Sequence, residues 1–242
     1  MVSVVVALSS ARSVAGVWTD YLWFDSLGFS NVWRGLFWAK VGLACLFVAV
    51  AFTLIWVNLF VADRLAPAVR PFGPEEEALQ GLHDFVDRRP RLVRFMAALL
   101  PALFIGAGVG GRWHDWVLFR NYVDFGINDP QFGRDIGFYV FRLPFVSFVV
   151  DWLLGALVVV TVFTVATHYR NGGIRLQAPG RRITPAVRGH LSILLASIAL
   201  VRAVSYYFDR FQITFSERGV VHGAGYTDVN AKLPAILSLI HI

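Results

Sequence analysis

The 242-residue chain is 57% hydrophobic and only 16% charged, with a mean hydropathy of +0.60. An ordinary soluble domain carries about 25% charged residues, so these values exclude a water-soluble fold of this length and point to a multi-pass membrane protein. The net charge of +6 does not mark a nucleic-acid binder, because the charges fall in short segments between apolar runs, where they act as orientation signals.

Twenty-one Phe, eight Trp and seven Tyr exclude intrinsic disorder. The single cysteine, Cys45, excludes an intrachain disulfide framework and a Cys-based zinc site.

In chain order, residues 1–18 begin apolar and then run through Ser9, Ser10, Arg12 and Ser13. No basic residue precedes the short apolar stretch from Val2 to Leu8, so the segment reads as an incomplete span rather than a cleavable signal peptide. A bilayer core takes about 20 mostly apolar residues per helix, and four segments qualify. Residues 41–62 and 95–111 carry no charge, 144–168 carries Asp151, and 189–208 carries Arg202. A last segment, 231–242, opens like another helix and is truncated after about three turns.

The segments between spans set an expected orientation. Residues 63–94 and 169–188 hold eleven basic residues in 52 positions, whereas 19–40, 112–143 and 209–230 hold eight in 76. The denser set is expected on the cytoplasmic side and the other outside. Seven of the eight Trp (18, 23, 33, 38, 113, 116, 152) fall in or near the second set, as amphipathic rings do at a headgroup layer. The expected fold class is therefore all-α, a polytopic helical membrane bundle with aromatic-rich extracytoplasmic loops. Short strands or turns are expected near 219–225, where glycine is frequent.

Within 63–94, prolines 67, 71 and 74 break the preceding helix, and Glu75, Glu76 and Glu77 suit a helix N-terminus. Leu79, Leu82 and Val86 then form an apolar stripe ahead of Arg88, Arg89 and Arg91. The stretch is either a surface helix held to anionic lipid or a solvated connector whose arginines set topology, and the second reading is preferred. In 112–143, aspartates 115, 124, 129 and 135 could supply oxygens to calcium. Their spacing fits no calcium loop, and aspartates are common in turns.

Asp151 and Arg202 lie about 10 Å and about 9 Å from the outer ends of sequential antiparallel spans. Intramembrane charges usually face a partner or a cavity, so the two are expected to pair or to share one polar site. Gly106, Gly108, Gly110 and Gly111 are expected to place small residues on one face of the third span; Gly106 and Gly110 have the spacing of close helix packing, and no phosphate-loop Lys follows. His168 and His190 end neighbouring spans on the same side, but two His make no metal site. No catalytic constellation, cofactor motif or metal-ligand set is evident, so the chain is read as having no cofactor and catalysis is unsupported.

Four stretches, WTDYLWFDSLGF (18–29), NDPQFGRDIGFYVFRLPF (128–145), YYFDRFQITFSERGVVHGAGYTDVNAKLPA (206–235) and the uncharged second span, occur together in this order. Together they resemble the bacterial uncharacterised protein family 0182. That resemblance implies a cell-membrane protein of about seven helices followed by a large extracytoplasmic C-terminal region, with no assigned activity and no catalytic residues to carry over. On this basis residues 1–242 are expected to be the N-terminal transmembrane region of something larger, with the C-terminal domain absent. The expected function is a membrane anchor or scaffold for that domain. The alternative is a transporter or channel-like protein using the Asp151/Arg202 site. The expected partners are the lipid bilayer and either other envelope proteins or further copies of the chain, with no nucleic acid.

Overall fold

A computed structural model of the chain describes residues 2–67, 81, 86, 88–175, 182–217 and 223–240, with side chains described from residue 11 onward except at 13. Seven α-helices account for most of them: α1 (Val2–Ser26), α2 (Ser30–Arg64), α3 (Pro90–Gly106), α4 (Trp113–Arg120), α5 (Leu143–Arg170), α6 (Pro185–Gln212) and α7 (Leu233–Ile240). No strand forms among the described residues, where extended pairing is confined to the bridges Asn128–Asp135 and Ile174–Ile183. Four helical stretches are long and apolar enough to cross a membrane: Ser30–Arg64, Pro90–Arg120, Phe138–Arg170 and Pro185–Phe215. They coincide with the four complete spans expected from hydropathy, and the chain is an all-α helical bundle.

The helices outrun the apolar segments. Residues 19–40, expected as a loop, are helical apart from the turn at 27–29, where Gly28 takes φ +75°. Trp, Tyr and Phe here are compatible with helix, and their polar neighbours suit a headgroup layer. Trp18, Tyr21, Trp33, Phe37 and Trp38 join α1 to α2 through successive ring contacts at 5.1–5.6 Å. Proline stands in the first turn of α3 and of α6, where its missing N–H costs nothing.

The core forms where α2 meets α3, α5 and α6. Ala51, Ile55 and Leu59 of α2 recur every four residues and pack with Ala98 and Ala102 of α3, Val160 of α5 and Leu194 of α6. Small residues on α3 let two backbones approach closely, as membrane helices do when hydrophobic driving force is absent. The opposite faces carry exposed Leu100, Phe104, Ile193 and Leu200, the arrangement a lipid-facing surface requires.

Two turns depart from α geometry in the same way. The five-residue π-helices Phe138–Arg142 and Asp228–Lys232 each precede a Leu-Pro pair. The Leu143 amide bonds to the Phe138 carbonyl and the Leu233 amide to the Asp228 carbonyl. Pro144 and Pro234 cannot donate the next bond of an α ladder, and a widened turn re-routes the carbonyls ahead of them.

Of the stripe expected in 63–94, Leu79 and Leu82 lie outside the described residues, as do Glu75, Glu76 and Glu77; Val86 is buried. The strands or turns expected near 219–225 lie outside them too, except for 223–225.

Candidate functional site

Polar side chains gather at two levels. At the Arg-rich end, Asp63 closes α2 and faces the start of α3 and the end of α5. Its Oδ2 accepts from Arg94 Nε at 2.9 Å and pairs with the Arg94 terminal nitrogen at 2.7 Å. Its Oδ1 accepts from Arg170 at 2.7 Å and from Asn171 Nδ2 at 3.0 Å. One carboxylate thus ties three helices together, beside a cavity of about 240 Å³ also lined by Leu59, Val86 and Thr167.

One turn deeper, a second network has a fixed direction. Asn58 Nδ2 donates to the Leu54 carbonyl at 2.7 Å, so its Oδ1 is the atom that meets His190 Nε2 at 3.0 Å. With both rings neutral, His190 donates from Nε2 and must accept at Nδ1 from His168 Nε2, 3.0 Å away. That leaves the lone pair on Nδ1 of the fully buried His168, which has no partner among the described residues. The rings meet edge to face, 5.2 Å between centroids. The sequence places the two histidines at neighbouring ends, and the structure brings them into contact. It also adds Asn58, a polar residue inside an uncharged span, which was the available signal for this network.

At the aromatic end, Asp151 of α5 and Arg202 of α6 occupy one polar site without a direct ion pair. Ser205 lies between them: its Oγ donates to Asp151 Oδ1 at 3.0 Å and accepts from Arg202 at 3.3 Å. The Arg202 guanidinium also stacks over the Tyr206 ring at 4.1 Å. Ser205 is buried, whereas Asp151 and Arg202 are both exposed. Asp151 faces a cavity of about 690 Å³, walled by Arg112, the π turn at Tyr139 and Val140, Ser147, Phe148 and the end of α6 at Gln212.

Gly106 and Gly110 sit against α2. A Cβ on Gly106 would fall 2.6 Å from the Val48 amide nitrogen, and one on Gly110 2.9 Å from the Lys40 carbonyl. Gly108 and Gly111 have open space around them, so the four glycines do not share one packed face as expected, and only Gly106 and Gly110 meet α2. Nearby, Trp152 Nε1 donates to the Ile105 carbonyl at 2.9 Å, fixing α5 to α3 where α3 tightens into the 3-10 turn Ala107–Arg112.

The aspartates considered for calcium in 112–143 have other work. Asp135 accepts the backbone amides of Phe125, Gly126 and Gly137, and Asp129 accepts from the Phe132 amide and the Tyr139 hydroxyl. Led by the Phe125 amide, these bonds hold the Asp135 carboxyl below its ordinary value. The Tyr122 hydroxyl donates to Asp124, which pushes the phenol up. No group of three His, Cys, Asp or Glu residues is placed to hold a metal among the described residues.

Over residues 1–242 the sequence matches the Uncharacterised protein family (UPF0182). The chain belongs to this family. It is 42% identical over 223 residues to a UPF0182 protein of Frankia alni, covering 92% of this chain and 22% of that protein. It is 38% identical over 239 residues to one of Frankia casuarinae, covering 99% of this chain and 24% of that protein. A Nocardioides relative is 37% identical over 97% of this chain and 23% of its own length. The chain thus spans less than a quarter of the curated relatives it matches. No solved structure matches it.

Proposed function

We propose that this stretch is an integral membrane anchor or scaffold for a large extracytoplasmic domain. Residues 63–94 and 169–188 face the cytoplasm, and 19–40, 112–143 and 209–230 face outward. The observation that carries the reading is the use of polar groups inside the bundle: Asp63, the Asn58–His190–His168 chain and Ser205 all bond from helix to helix. Such bonds specify how spans assemble. The length of the relatives supports it, since most of their polypeptide lies outside the matched region. Gly106 and Gly110 serve this role as packing positions between α2 and α3.

One observation favours transport instead: Asp151 is exposed and opens onto a large cavity. Ion and solute flux measured in proteoliposomes separates the two. Anchoring predicts flux no greater than protein-free vesicles, with Asp63→Ala lowering the amount of this chain found in the membrane. Flux that Asp151→Asn abolishes at unchanged abundance would contradict it.

A further inference from the structure

Asp151 is a carboxylate within a membrane-crossing helix, yet no cation lies within ion-pairing distance of it among the described residues. Ser205 holds Arg202 to one side, and only Asp151 Oδ1 is engaged, leaving Oδ2 without a hydrogen bond among the described residues. An intramembrane charge is costly unless a partner or water compensates it. The exposed side of Asp151 opens on the cavity of about 690 Å³, a size that suits a small organic ligand.

The other walls narrow the class of occupant. Asp151 is the one carboxylate lining the cavity among the described residues, and Tyr139, Phe148 and Phe215 present aromatic surface beside Val140, Leu143 and Pro144. Among the described wall residues the one guanidinium, Arg112, pairs with Asp115 at 3.3 Å and covers the Phe148 ring at 5.1 Å, which leaves Tyr139 and Phe215 as the uncovered aromatic surface. Ser147, one turn from Asp151 on α5, has a buried hydroxyl that bonds to no described residue. The π turn that carries Tyr139 and Val140 is a geometry that recurs at functional sites. A carboxylate with one unbonded oxygen and no direct ion pair, beside aromatic faces, matches an ammonium group on an apolar body, because the carboxylate accepts its N–H bonds and the rings attract its charge.

We propose that this cavity binds a primary amine with an apolar body, the ammonium placed on Asp151. The site goes beyond the anchor reading and stands whether or not the chain moves its ligand. Two sources carry the same chemistry, a soluble arylalkylamine and the amine of an aminophospholipid.

The test uses the 242-residue chain in neutral detergent, with phenethylamine as probe and 2-phenylethanol as its uncharged match, followed by calorimetry and saturation-transfer NMR. Phenethylamine is expected to bind at least about tenfold tighter than the alcohol, as a charge-assisted hydrogen bond implies. Asp151→Asn keeps an oxygen for Ser205 and should erase that difference at an unchanged unfolding temperature; Asp151→Glu should retain it. Phosphatidylethanolamine that displaces the probe assigns the site to a lipid amine. Failure to displace it, with the Asp151 dependence intact, assigns the site to a soluble amine. Equal binding of amine and alcohol, or a preference that survives Asp151→Asn, would overturn the proposal.

Discussion

At the residue scale, the decisive groups are those whose bonds cross between helices. Asp63 bonds to Arg94 and Arg170, whose side chains are only about a fifth exposed. Asp63→Ala removes the carboxylate from Arg94 and takes one contact from Arg170. Partial exposure tempers the cost of breaking a buried pair, so the expected loss is about 2 kcal/mol, read as a lower unfolding temperature in detergent. Asp135 carries a pH-dependent contribution of definite sign. Its folded carboxyl sits below the ordinary value, so its hold on Phe125 and Gly126 is complete at the ordinary carboxylate value and above, and is lost as the pH falls through the lower folded value. Amide protection at those two residues should therefore drop on acidification, whereas Asp135→Asn should lower it at neutral pH and flatten its dependence on acid.

At the element scale, the contact between α2 and α3 depends on a ladder of small residues, Ala98, Ala102, Gly106 and Gly110, spaced by four. The two glycines were legible in the sequence as a packing motif. The two alanines that extend it down the helix were not, since alanine is common in any apolar span. Gly106→Val should push α3 off the Val48 backbone and destabilise the chain by about 2 kcal/mol. Gly108→Ala, which meets open space, should change the unfolding temperature little. The four helices long and apolar enough to cross a membrane were readable from apolar run length, the length a bilayer core requires. The helical continuation through 19–40 and 113–120 was not, since headgroup-level aromatics and charges suit helix and loop alike. Nor did the sequence reveal the role of Asp63, because a charge at the end of a span looks the same whether it binds a partner or merely faces water. Asp151 and Arg202 were recognisable as one site by depth, but Ser205 between them emerges only from the packing of α5 on α6.

At the scale of the whole molecule, the proposed topology has four crossings, with the Arg-rich ends of α2, α3, α5 and α6 on one side and the aromatic ends on the other. The two ends differ in chemistry: Asp63, Arg94 and Arg170 gather at one, while Trp116, Phe119, Phe145 and Phe148 gather at the other. Site-directed labelling tests this most directly. Cys45 is the only native cysteine; with Cys45→Ala as background, Asn128→Cys and Arg182→Cys mark opposite ends of the bundle. A membrane-impermeant maleimide applied to intact cells should label Asn128→Cys, and should reach Arg182→Cys only after permeabilisation. Labelling of Arg182→Cys in intact cells, or protection of Asn128→Cys, would contradict the proposed topology.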